Sequence, residues 1–128
     1  MPKWIPRGFH SITPRLVARN PQKLVSFLQA VFDARGEYSE EHPTQLRIGD
    51  SLVLVSGTGP RTAKRSLLYL YVKDVDATYA RALLAGAKSL ESPRELPYGD
   101  RRAMITDPAG NDWQLATPSR VARKSPAR

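Results

Sequence analysis

Cysteine is absent from the 128 residues, which excludes a disulfide framework, a thiol nucleophile and a zinc site built on sulfur. Long apolar runs are missing too. Nothing approaches the length of a membrane span, and the opening MPKWIPRGFH has no hydrophobic segment of signal-peptide type. A cytoplasmic protein without membrane association is the expectation. Only two histidines occur, His10 and His42, and there is no Ser-His-Asp arrangement, phosphate loop or dinucleotide fingerprint. Acidic residues number 12 against 20 Lys and Arg, for a net charge of +8. Most of that excess sits at the ends, in Lys3, Arg7, Arg120, Arg123, Lys124 and Arg128, with no acid in either segment. The body is close to neutral. The expectation is a basic, disordered, solubilising tail at 119–128 rather than a nucleic-acid surface.

What is present is a repeat. The 41% apolar content suits one compact domain, and within it each half opens with a strand-like run, ITPRLVAR from Ile12 and LLYLYVKD from Leu67. Each run leads into a helical pattern. In the first, Asn20 reads as N-cap and Pro21 as first helical residue, with Leu24, Phe27, Leu28 and Val31 at helical spacing. In the second, Asp74 caps, Val75, Tyr79, Ala82 and Leu83 form the face, and Gly86 is the stop. Sliding one half over the other superposes Leu16 on Leu70, Arg19 on Lys73 and Asn20 on Asp74. Strand-like segments follow each helix. At the closing strands Gly49 matches Gly110, Asp50 matches Asn111, Leu54 matches Leu115 and Ser56 matches Thr117. The organisation expected is an extension over 1–9, a βαβββ module over 10–58, a linker over 59–65 and a second βαβββ module over 66–118, the two modules forming one domain.

The second module ends in YGDRRAMITDPAGNDWQLAT, from Tyr98 to Thr117, which reads as strand, tight turn, strand, with Pro108 and Gly110 supplying the turn. Together with the repeat, this stretch resembles the closing hairpin of the vicinal oxygen chelate superfamily, the glyoxalase, bleomycin-resistance and extradiol dioxygenase group, whose last strand follows Asp-Pro-x-Gly-x-x-x-Glu-Leu. Here Gln114 stands in place of that glutamate. The Tyr98-Gly99-Asp100-Arg101 element looks like the branch associated with phosphonate operons or demethylubiquinone-methyltransferase-like proteins. The resemblance implies an α+β fold in which two βαβββ modules curve a mixed sheet into a cup with the helices outside, the cup being shared within one chain or between the two chains of a homodimer.

Strand alternation then assigns the faces. Thr13, Arg15 and Val17 point into the cup, as do Leu67, Tyr69 and Tyr71. Ser51, Val53 and Val55 are expected inward from the first closing strand, and Asp112, Gln114 and Ala116 from the second. The superfamily's enzymes hold a divalent metal with one residue from each of these four strands, usually histidine or glutamate; carried over, the positions are Thr13, Val53, Leu67 and Gln114. Two are aliphatic, and neither hydroxyl nor carboxamide has the charge or basicity to hold an exchangeable divalent ion. No metal and no cofactor are expected. A displaced site at His10, or at His42 beside Glu40 and Glu41, is the alternative, although isolated histidines of this kind are more often exposed polar turns.

What remains is a small-molecule cup. Tyr69 and Tyr71 suit stacking on a planar ligand, Tyr98 and Trp113 are candidates to border the same region, and Gln114 and Thr13 offer hydrogen bonds. Alternation places Trp113 opposite Gln114, under the second helix. Arg15 has three readings: a structural pair with Asp112, a solvated side chain, or a ligand-binding arginine. Arg101 is read either as a residue of the cup mouth or as the partner of Asp100 or Asp107. The function expected is binding or sequestration of a small organic molecule with an aromatic or anionic part. Metal-free or atypical-metal catalysis is the first alternative, and a non-catalytic interaction protein the second.

Overall fold

The computed structural model describes residues 3–59, 62–97 and 99–118. The expected tail at 119–128 and Tyr98 lie outside the described residues. The chain divides into two compact units, Met1–Lys64 and Arg65–Arg128, each an open mixed sheet with a helix packed on one face. This is an α+β fold of two tandem, related modules.

In the first unit β1 (Arg15–Ala18) leads into α1 (Pro21–Phe32), followed by β2 (Thr44–Ile48) and β3 (Ser51–Gly57). The sheet order is β1-β3-β2, with β1 parallel and β2 antiparallel to β3. As the sequence predicts, the Asn20 side chain accepts from the Lys23 amide at 3.2 Å and Pro21 opens the helix, where its missing N–H costs nothing. The buried stripe of α1 is Leu24, Val25, Phe27, Leu28, Val31 and Phe32. It covers Leu16, Ala18, Leu46, Ile48, Val53 and Val55, all buried. Between α1 and β2 the expected strand is reduced to one bridge, Arg35 to Arg47. The charged, proline-ended stretch EYSEEHP at 37–43 has neither the alternation nor the β-branched content of a strand.

In the second unit β4 (Leu67–Tyr71), α2 (Val75–Leu84), β5 (Lys88–Glu95), β6 (Asp100–Thr106) and β7 (Asp112–Pro118) make a sheet in the order β4-β7-β6-β5. Asp74 caps α2 through the Ala77 amide at 3.1 Å, and Gly86, at φ 102°, supplies the left-handed residue that turns the chain out of it. The helix face differs from expectation. Val75, Thr78 and Ala82 are buried, Leu83 is exposed, and Tyr79 is half-buried with its hydroxyl 2.7 Å from Ser89 Oγ. A tyrosine with a polar tip settles at the helix edge, so the inward face rotates towards the smaller residues.

The β6–β7 hairpin is built around one carboxylate. Asp107 accepts from the Ala109 amide (2.8 Å), the Asn111 amide (3.0 Å) and the Trp113 indole (2.8 Å), while Gly110, at φ 93°, closes the turn. Asn111 in turn accepts from the Ser66 amide at 3.0 Å, tying the segment before β4 to the hairpin. Trp113 is buried on the helix side of the sheet. No helix among the described residues is long and apolar enough to cross a membrane.

One expected alignment is corrected. Arg15 pairs with Leu54, whereas its counterpart Tyr69 pairs with Gln114. Leu54, not Val53, therefore takes the place of Gln114. Val53 and Val55 are buried beneath α1 instead of facing the open side. Matching Gly49 to Gly110 misled the alignment because the two turns differ in length: Ile48 and Ser51 are already paired across the first, while the second runs from Thr106 to Asp112. A one-residue slip moves every side chain to the other face.

Candidate ligand-binding face

The open face of the second sheet gathers most of the residues singled out from the sequence. β4 presents Leu67, Tyr69 and Tyr71, and their partners on β7, Asp112, Gln114 and Ala116, lie on the same face. β6 adds Asp100, Arg102 and Met104, the last two opposite Ala116 and Gln114. The Tyr69 hydroxyl donates to Asp100 Oδ2 at 2.6 Å and the Tyr71 hydroxyl to the same oxygen at 3.3 Å. Their rings lie 5.3 Å apart at a tilt of 54°. Asp100 is only 2% exposed, whereas Tyr69 and Tyr71 are 41% and 53% exposed. The phenols thus sink their hydroxyls onto a buried carboxylate and leave ring surface in the open. Burial first, then the hydrogen bond to the Asp100 carboxylate, pushes the Tyr69 phenol above its ordinary pKa, so it stays protonated and donating.

The other charges on this face are compensated within it. Glu91 accepts from Arg102 Nε at 3.2 Å and pairs with Arg102 and Arg94, each at 3.2 Å. Burial alone would raise the Glu91 carboxyl; the hydrogen bonds from Arg102 and Arg94 outweigh it and hold the group below the usual carboxylate range. Asp112 accepts from Thr106 Oγ1 at 2.8 Å and from Arg65 at 3.5 Å. Gln114 is the exception. Its Nε2 lies 4.0 Å from Met104 Sδ, and no other hydrogen bond engages the carboxamide among the described residues. It is a free donor and acceptor between an aromatic ring and a thioether.

Other candidates go elsewhere. Arg101 faces the helix side, where it makes a bidentate pair with Asp76 in the first turn of α2 (2.8 and 2.9 Å) and reaches Glu95 at 3.4 Å. Neither Asp100 nor Asp107 is its partner. The arginine of the open face is Arg102, and alternation along RRAMIT opposite Gln114 was the signal that could have found it, together with Met104. Thr13 is half-buried just ahead of β1. Arg15 donates from Nε to Ser56 Oγ at 3.1 Å, so Arg15 and Asp112 each have recorded partners within their own unit. His10 and His42 are exposed, and no group of three or more His, Cys, Asp or Glu side chains suited to a metal occurs among the described residues.

With the corrected register, the four positions equivalent to the superfamily's metal ligands are Thr13, Leu54, Leu67 and Gln114. One hydroxyl and one carboxamide, neither charged nor basic, do not fit a divalent ion.

Two related units, each with a helix on one face and an open sheet face on the other, define a protein of the vicinal oxygen chelate fold. The family model for the Glyoxalase/Bleomycin resistance protein/Dioxygenase superfamily matches residues 8–115, and the chain belongs to that superfamily. Among relatives, it is 29% identical to the uncharacterized protein Mb0911c of Mycobacterium bovis, over 86% of this chain and 84% of that one. Solved structures share the fold: TioX from Micromonospora sp. ML1 (TM-score 0.74, 22% identity, 85% of this chain and 98% of that one), and the fosfomycin resistance protein FosX from Mesorhizobium loti (TM-score 0.68, 23% identity, 91% and 98%).

Proposed function

We propose that this protein binds and sequesters a small, planar organic molecule without a divalent metal, using the open face of the second sheet. The observation that carries the proposal is the exposed Tyr69–Tyr71 ring pair, anchored on buried Asp100 beside the uncommitted carboxamide of Gln114. The rings offer a stacking surface fixed in place by their hydroxyls, and Gln114 reads a donor–acceptor edge. Binding is favoured over turnover because the acid–base groups of the face are spent on one another: the Tyr69 phenol holds its proton more firmly than a free phenol, and Glu91 holds its charge between two arginines. FosX, named as a resistance protein, shares the fold and supports a resistance-like role. The protein acts as a cytoplasmic homodimer in this reading.

A thermal-shift titration tests it, with Mn, Ni, Zn and Fe(II) in one arm and neutral aromatic amides such as benzamide and nicotinamide in the other, and with metal content measured on the same sample. The expected result is substoichiometric metal, no metal-induced shift, and a saturable shift with an amide that Tyr69→Ala and Gln114→Ala each abolish. Stoichiometric metal with a clear shift would overturn the proposal.

A further inference from the structure

The chain ahead of β1 is seated on the first sheet by a tight turn. Within Pro6 to Phe9 the Phe9 amide donates to the Pro6 carbonyl at 3.0 Å, and Gly8 stands third at φ 85°, the left-handed position that glycine fills in a type II turn. The turn presents the Gly8 carbonyl to Arg47, whose Nη2 donates to it at 3.4 Å. Arg47 on β2 pairs with Leu52 on β3, and both stand on the face turned away from α1, because their strand neighbours Leu46, Ile48 and Val53 are the ones buried beneath that helix. A Cβ on Gly8 would lie 3.0 Å from Arg47 Nη2 and 3.8 Å from Leu52 Cδ1. Only a glycine lets the turn come this close.

The same segment leaves its largest side chain outside. Ile5, Gly8 and Phe9 are half-buried, whereas Lys3, Pro6 and Arg7 are exposed and Trp4 is 76% exposed. Burying the Trp4 ring would fix the segment firmly. With that ring in solvent, the seat rests on the fit at Gly8 and on one hydrogen bond from a charged donor, a contact that favours the seated form by about tenfold or somewhat more. At 3.4 Å the bond is long, which puts it at the lower end. A segment held this lightly opens without unfolding the sheet below it.

We infer that residues 3–9 are a reversible strap across the β2–β3 side of the first sheet's open face, latched by Arg47 on the Gly8 carbonyl, and that its release uncovers Leu52. The device needs no ligand, and it stands on residues of the first unit that the reading of the second sheet does not use. The chain has no cysteine, so Arg7→Cys gives the full chain a single site for a nitroxide label, on an exposed residue beside Gly8. The label should broaden the Leu52 methyl resonances, in proportion to the seated population. Gly8→Ala puts a methyl group against Arg47 and strains the turn, and Arg47→Ala removes the donor. Losing a tenfold latch takes the seated population from about nine-tenths to about a half, so the broadening should fall about twofold in each variant. The Leu16 and Leu28 methyl shifts, which report the buried core, should stay where they are in the parent. The inference is overturned if the label leaves Leu52 sharp, or if both variants keep the full broadening. It is also overturned if spin-labelled chains broaden Leu52 of unlabelled ones in a mixture, since the strap would then seat on a second copy.

Discussion

The two halves use one frame in opposite ways. Where α1 buries Leu24 and Leu28, the equivalent positions of α2 are Thr78 and Ala82, all four buried. Where the first sheet has Val53 on its helix side, the second has Trp113. Core volume has moved from helix to sheet while the side-chain N-caps and the parallel pairing of each unit's first strand with its last stay the same. Charge is divided as unevenly. The second unit neutralises its arginines with Asp76, Glu91, Glu95 and Asp112, whereas the first leaves Arg15 and Arg47 without a carboxylate. A repeat therefore preserves the frame, and each copy tunes its packing and its open face independently.

The sharpest way to break this comparison is to remove the displaced volume. Trp113→Ala should cost about 3–5 kcal/mol in urea unfolding, because it opens a large cavity. Val53→Ala should cost nearer 1.5 kcal/mol, at ~0.8 kcal/mol for each of two buried methyl groups. Equal losses would show that the two cores are not complementary solutions. Next come the turns. Asp107→Ala strands the Trp113 indole and two amides and should cost about 3 kcal/mol. Asp50→Ala, in the short turn of the first unit where the carboxylate meets only Ser51, should stay within about 0.5 kcal/mol.

Smaller effects come from the charged networks of the second unit. The folded pKa of Tyr69 is raised above 10.0, so its contribution is fully present below that value and lost as pH rises through the raised one. Phenolate absorbance should show a late phase that belongs to Tyr69. Tyr69→Phe should delete that late phase, and Asp100→Asn should move it to lower pH. The smallest effect is at Asp76, whose carboxyl the Arg101 hydrogen bonds hold below its ordinary 3.8. Its contribution is present above that value and fades as pH falls through the lowered one. Asp76→Asn should lower stability by about 0.5 kcal/mol at neutral pH and by less in acid, since the pair is largely exposed.

Much of the frame was legible in the sequence. Asn20-Pro21 and Asp74 announced the helix starts, the Asp-Pro-x-Gly run announced the last hairpin, and alternation placed Tyr69, Tyr71 and Gln114 on one face. Those signals are local, carried by a cap, a turn residue or a period of two. Arg101 and Val53 were misplaced for related reasons. Arg101 belongs to a strand whose face follows only from its pairing with β7, and Val53 was set by aligning glycines across turns of unequal length. Asp100 went unread as the anchor of the two tyrosines because its partners are about thirty residues distant along the chain.

By itself the sequence determined the duplicated α+β frame and the chemistry the chain lacks: no thiol, few histidines, and no strong donor at the positions where the superfamily holds a metal. Only the tertiary structure decided the register of β3, the opposite orientations of Arg101 and Arg102, and the division into a self-neutralised face and an unpaired one. The reason is physical. Periodicity and capping act within a few residues, whereas register, partner choice and charge compensation depend on which strands meet and how long the turns between them are.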